Sequence, residues 1–452
     1  VRARGGATAH SDAGGRFRLP PASAGRRLTA WKEGYFIAGG SAGDGPVLRL
    51  RPLPTQDDPA YAWVDPTPLP ADESRCGNCH PGVYREWAGS GHARSANGKR
   101  FGQLYAGLDG HGRRAGWGLL TEHPDGAGVC SSCHAPTVRD DDPALFDLRR
   151  VGGVAARGVH CDYCHKVSGL NDGPIGLAHG RFLHTLLRPG EGQLFFGPLD
   201  DVDRGDDAYS PFYRDSRYCA ACHEGVVFGV PVYTTYSEWL DSPARRRGQH
   251  CQACHMKPTG RTTNIAPGHG GRERPSSTLA NHVFWDGSQE QMLRRSLRLL
   301  ARPARRPHGV EVRITLEARG VGHRVPTGFI DRQVILVVEA TTPRGVNLKP
   351  TQGPTLPPAV GRPLAGKAGK LYARLLKDQR GKGPVPFWRA HSPPDDTRLR
   401  PERPDEVRFT FPAEAARVHV RVLHRRFWEE TARGKGWADR DLLVVGRTLP
   451  VP

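Results

Sequence analysis

From Val310 onward apolar and polar residues alternate with a period of two. "VEVRITLEA", "QVILVVEAT", "VRFTF", "VHVRVL" and "LLVVGRTL" each read as strands with one face turned inward. They predict a C-terminal β-sandwich over residues 305–452, with an irregular Gly/Pro/Lys insertion around 343–386. Just before it, "GSQEQMLRRSLRLLARP" carries apolar residues at Met292, Leu293, Leu297 and Leu300. With Ser288 as N-cap and Gln291 as its capping-box partner, that spacing predicts a linking helix over 286–304. At the other end, residues 1–54 hold short alternating segments such as "LTAWKEGYF" between Gly and Pro turns, a small β-sandwich pattern. Pro-rich residues 55–70 form a linker. Residues 71–285 show little long periodicity, so their core must come from something other than amphipathic elements.

The N-terminal segment resembles a partial carboxypeptidase-regulatory-like domain on "SDAGGRFRLP" and "LTAWKEGYF". No apolar run approaches transmembrane length; "VVFGVPVYTTY" is the nearest and is far too short. The chain is therefore not expected to be transmembrane itself. It opens at Val1 without a signal-peptide pattern, which is expected of a processed or trimmed chain.

The missing core is explained by the cysteines. All ten fall in five Cys-x-x-Cys-His motifs: Cys76 and Cys79 with His80, Cys130 and Cys133 with His134, Cys161 and Cys164 with His165, Cys219 and Cys222 with His223, Cys251 and Cys254 with His255. This is the attachment signature of c-type haem: two thioethers fix the porphyrin edge and the histidine becomes the proximal iron ligand. Zinc does not require a histidine after every pair, and five pairs leave one over. Redox disulfides do not recur five times in one chain. The expected cofactors are five covalently attached haems, which act as the core of residues 71–285. Haem is attached outside the cytoplasm, so the protein is expected to be exported, to the periplasm or the cell surface.

The formal charge of +19 loses its suggestion of nucleic acid in this light. Five haems add about ten propionate charges against about five from ferric cores, and arginine is spread along the chain.

Spacings between successive first cysteines are 54, 31, 58 and 32 residues, alternating long and short. Tyr84, Glu86, Trp87 and Ser90 after the first motif match Tyr236, Glu238, Trp239 and Ser242 after the fourth, and a histidine precedes both the third and the fifth motifs. We read an internal duplication.

Each iron has a sixth position. Methionine raises haem potentials when it ligates, but only Met256 and Met292 are present, and Met256 directly follows a proximal histidine. Histidine must serve at most sites. His160 and His250, one residue before motifs, are candidates to ligate a neighbouring haem; His92, His179 and His282 are candidates from the intervening segments, with His184 and His269 behind them. His323 in "GVGHRVPTG" is either a ligand on a loop folded back onto a haem or a turn residue.

With these motifs, "YREWAGSGHA", "CQACHM", "NHVF" and "GHRVPTG" in view, residues 70–452 resemble the exported multihaem cytochrome c superfamily, which includes hydroxylamine oxidoreductase and its tetrahaem electron acceptor. The resemblance implies a loop-rich, short-helix, haem-packed domain flanked by β-sandwich domains, and a continuous path of stacked haems. The expected function is electron transfer along closely spaced, mostly bis-histidine haems within a larger assembly or extracellular filament. The alternative is an oxidoreductase acting on hydroxylamine or a small nitrogen or sulfur oxyanion at one open haem. Nitrite reductases of this kind attach the catalytic haem with lysine in the histidine place, whereas all five motifs here end in histidine. Expected partners are redox proteins, in a homopolymer or in a membrane or cell-surface electron-transfer complex.

Overall fold

The computed structural model describes every residue except 44, 71–73, 126–127, 140–145, 286–289, 392 and 439–440. Its C-terminal part is two stacked sheets. One holds Leu297–Arg306, Gly309–Ala318 and Asp405–Phe411; the other holds Asn347–Leu348, Gln333–Thr341, Arg417–Arg425 and Leu442–Pro450, with Gly369–Tyr372 also paired to Gln333–Thr341. Val310, Val312, Ile314 and Leu316 share one core with Val334, Leu336 and Val338 and with Val418, Val420 and Val422. Each such side chain contributes about 1.5–3 kcal/mol on burial.

Gln333–Thr341 is buried on both faces. The insertion beyond it lays Leu356, Val360 and Leu364 over Ile335 and Val337, which is why this strand reads as a continuous apolar run.

Where a helix over 286–304 is expected, the helix covers Glu290–Ser296 and the chain becomes a strand from Leu297 to Arg306. Buried Leu297 and Leu299 alternate with exposed Arg298 and Leu300, and every residue of the strand pairs with Gly309–Ala318. Pro303 is accommodated because this strand lies at the edge of its sheet. The N-cap expected at Ser288 lies outside the described residues.

The N-terminal segment is one antiparallel sheet of Arg2–Ala3, Arg27–Ala30 and Ala38–Ser41 rather than a sandwich. Strands this short cannot close a two-layer core of their own. Phe36 packs instead with Leu194, Phe196 and Ala208, the Ile37 amide donates to the Asp207 carbonyl at 2.9 Å, and Trp31 lies 4.4 Å from Tyr209.

Between them, short helices alternate with two-stranded ribbons such as Glu224–Val227 with Val230–Thr234. No helix among the described residues is long and apolar enough to cross a membrane.

Candidate haem sites

Each Cys-x-x-Cys-His motif lies on or at the end of a helical turn: Cys76–Cys79, Val129–His134, Cys161–His165, Ser216–His223 and Cys251–His255. Residues three and four apart share a helix face, so both thiols and the histidine are offered to one ligand. None of the ten cysteines is paired in a disulfide, so all ten sulfurs are available to form thioethers.

Four of the histidines are held alike. Nδ1 of His80 is bonded to the Ile265 carbonyl (2.8 Å), that of His134 to Ser95 (2.8 Å), that of His165 to Phe196 (2.6 Å) and that of His255 to Trp285. An Nδ1–H donated to a carbonyl fixes the tautomer and leaves the Nε2 lone pair free for a metal, as in most ligating histidines. The residues present therefore fit haem iron.

The motifs touch one another. Cys76 lies beside Cys161, Cys133 beside Cys222, and Cys219 beside Cys251. The Tyr218 hydroxyl, one residue before Cys219, donates to the Cys164 carbonyl at 2.9 Å. The first motif thus adjoins the third, the third adjoins the fourth, and the fourth adjoins both the second and the fifth.

Two pairs of rings stand at the spacing of axial ligands. His92 and His223 have centroids 6.2 Å apart, and His255 and His323 have centroids 6.1 Å apart with planes 23° from parallel. Two metal–imidazole bonds of about 2 Å on one axis hold ring centroids about 6 Å apart. His223 is pushed down to about 3, first by burial and then by His92. His282 is likewise pushed to about 3, by burial and then by His165 and His80, and its buried Nδ1 has no partner. Nε2 of His179 is buried without a partner too. That segment packs tightly on the second motif: Gly180, at φ 52°, would drive a Cβ to 2.0 Å from the Ser132 carbonyl.

The other histidines have protein partners. His160 is fully buried as N-cap of its motif helix; Nδ1 accepts from the Tyr163 amide (3.4 Å) and Nε2 meets Thr137 Oγ1 (3.1 Å). His250 occupies the same position before the fifth motif, and its Nδ1 accepts from the Ser216 amide at 3.1 Å. His184 bonds the Tyr163 hydroxyl (2.8 Å) and the Tyr218 carbonyl (3.1 Å). His269 is an electrostatic neighbour of His80. The proximal ring of His134 is stacked on Phe101, 3.9 Å away and 11° from parallel.

The duplication is visible in three dimensions. Trp87 Nε1 donates to the Val159 carbonyl at 2.8 Å, and Trp239 Nε1 donates to the Gln249 carbonyl at 2.8 Å. Each acceptor stands two residues before a motif.

Residues 75–166 match the family model for cytochrome c554 and c-prime. No curated protein matches the chain. Among solved structures, a penta-heme cytochrome c552 from Thermochromatium tepidum is similar, with a TM-score of 0.62 and 24% identity over 83% of this chain and 97% of that one. The chain accordingly has the fold of a multihaem cytochrome c, with covalently bound c-type haems as its cofactors.

Proposed function

We propose that this protein conducts electrons through five haems whose irons are mostly closed on both faces by histidine. The observation that carries the reading is the unbroken adjacency of the five motifs, three links through neighbouring cysteines and one through Tyr218. A thiol becomes the attachment point of a porphyrin edge, so adjoining thiols bring porphyrin edges together, with the fourth motif as the junction. The haems supply the one-electron chemistry; the protein sets their spacing, their axial ligands and their exclusion from water.

In this reading His92 serves opposite His223, His323 opposite His255, His282 opposite His165 and His269 opposite His80, while His179 is the candidate left for the second motif. His160 caps its own motif helix, and His250 holds the first amide of the fourth-motif helix. Export to the periplasm or cell surface follows from the chemistry of haem attachment, and a filament would extend the path from one copy to the next.

The test is a carbon monoxide titration of the reduced, intact protein, with a pyridine haemochrome count on the same sample. Closed irons take up no gas. Stoichiometric uptake by one haem marks an open iron and favours the oxidoreductase alternative, and uptake by more overturns the reading.

A further inference from the structure

The duplicated Tyr-x-Glu-Trp segment is more than a relic of ancestry. In the first half, helix Pro81–Ala88 carries Glu86 and Trp87 side by side. Trp87 grips the Val159 carbonyl, just ahead of the third motif, while Glu86 Oε2 accepts from the backbone amide of His282 at 2.8 Å. In the second half, helix Thr235–Leu240 carries Glu238 and Trp239. Trp239 grips the Gln249 carbonyl, just ahead of the fifth motif, while Glu238 Oε2 accepts from the amide of Arg324, the residue after His323, at 3.1 Å.

In both halves the tryptophan thus holds the entry to a proximal ligand, and the glutamate holds the backbone of a remote segment bearing a distal histidine. His282 is buried beside His165 and His80, and His323 stands 6.1 Å from His255. The two remote segments share no local pattern; one lies in the loop after "STLAN" and the other in the turn before strand Gln333–Thr341. What they share is the carboxylate that receives them.

We infer that each Glu–Trp pair is a positioning device that sets both axial sides of one haem from a single helical turn, Glu86 and Trp87 for the haem of Cys161 and Cys164, Glu238 and Trp239 for that of Cys251 and Cys254. The inference rests on the reading that His282 and His323 close those two irons. Adjacent residues on a helix point about 100° apart, so one turn reaches two chain segments whose separation the helix itself keeps fixed. Glu238 is the more deeply committed of the two. Its Oε1 also takes Arg398 (2.6 Å) and Thr234 (2.5 Å), and its Oε2 takes Thr327 (2.8 Å), so the β-domain loop is tied to the haem domain at this carboxylate. Glu86 is half-buried, which makes it the better site for substitution.

The experiment compares Glu86→Ala, Glu86→Gln and His282→Ala in fully haem-loaded protein. The readouts are the spin state of the oxidised protein by electron paramagnetic resonance and carbon monoxide uptake after reduction. His282→Ala opens the iron outright, giving a new high-spin signal and uptake of about one further haem equivalent per chain. Glu86→Ala is expected to reproduce that signal in a substantial fraction of molecules, and Glu86→Gln, which keeps an oxygen acceptor for the His282 amide, to restore the low-spin state. A low-spin, gas-inert Glu86→Ala beside an opened His282→Ala overturns the positioning role. An unaltered His282→Ala instead overturns the ligand assignment on which it rests. If Glu86→Ala yields no holoprotein, Glu238→Gln against His323→Ala decides by the same two readouts, since an amide cannot accept on both of its terminal atoms.

Discussion

Ser95 and His134 are bonded to each other twice: the imidazole Nδ1 to the Ser95 carbonyl and Ser95 Oγ to the His134 carbonyl, each at 2.8 Å. The same hydroxyl lies 2.9 Å from the His92 carbonyl and accepts from the Val159 amide at 3.2 Å. One small side chain therefore ties the proximal residue of the second motif to the segment bearing His92 and to the approach of the third motif. Ser95→Ala removes the hydroxyl but leaves the carbonyl that orients the His134 ring. A drop of about 1 kcal/mol in stability is expected, the usual worth of such a bond, with the visible spectrum unchanged. Thermal melts alongside absorption spectra check both halves of that statement.

His255 and His323 offer a sharper electronic prediction. Thioether in place of a second imidazole raises a haem potential. His323→Met is expected to move one component of the redox titration to higher potential while the others hold still. The measurement is a potentiometric titration followed by electron paramagnetic resonance. A titration identical to that of the parent protein removes His323 from the ligand set.

Asp331 sets a pH dependence. Burial pushes its carboxyl up to about 7 from the ordinary value of 3.8. The folded chain therefore keeps this proton over a range where the unfolded chain has released it, so the contribution to stability is fully present below about pH 4 and lost as pH rises through about 7. Asp331→Asn is expected to flatten that part of the stability curve and to be the more stable protein at pH 8. Melting temperatures of both proteins from pH 4 to 8 provide the check; parallel curves would falsify the assignment.

What was legible in the chain follows from where each constraint resides. Haem attachment is written locally, because two thioethers and an iron bond need their residues at fixed spacing, and so it stands out at all five motifs. The duplication was legible at Tyr84, Glu86, Trp87 and Ser90, yet the partners of Glu86 and Trp87 were not, since a hydrogen bond to a backbone amide or carbonyl leaves no trace in the partner's identity. For the same reason nothing near His323 says that it comes to face His255. His160 and His250 stand beside the motifs in the sequence, and in the structure the first accepts from the Tyr163 amide and the second from the Ser216 amide. In the linking segment, Leu297, Leu299 and Leu300 satisfy both a helical and an extended spacing; only the pairing with Gly309–Ala318 settles the choice.

The last prediction concerns a cation at the other seam between the β-domain and the haem domain. Lys435 is completely buried, and its ammonium faces three carbonyls: Ala115 at 2.6 Å, Trp117 at 2.5 Å and Gln103 at 3.2 Å. Trp437 donates to the Gln103 side chain beside it. Gln103 lies on helix Lys99–Ala106, the helix that stacks Phe101 on His134. The lysine thus braces, from the far end of the chain, the wall of the second haem site. Lys435→Met matches the length of the stem but leaves three carbonyls without their donor. A loss of about 2–3 kcal/mol is expected, the scale of a buried hydrogen-bonded charge, and with the helix loosened the absorption band of one haem should broaden or shift before global unfolding. Denaturant titrations followed both by circular dichroism and in the Soret region test this: the two transitions coincide in the parent protein and separate in the variant. Coincident transitions in both proteins, at unchanged midpoints, would show that Lys435 does not brace this site.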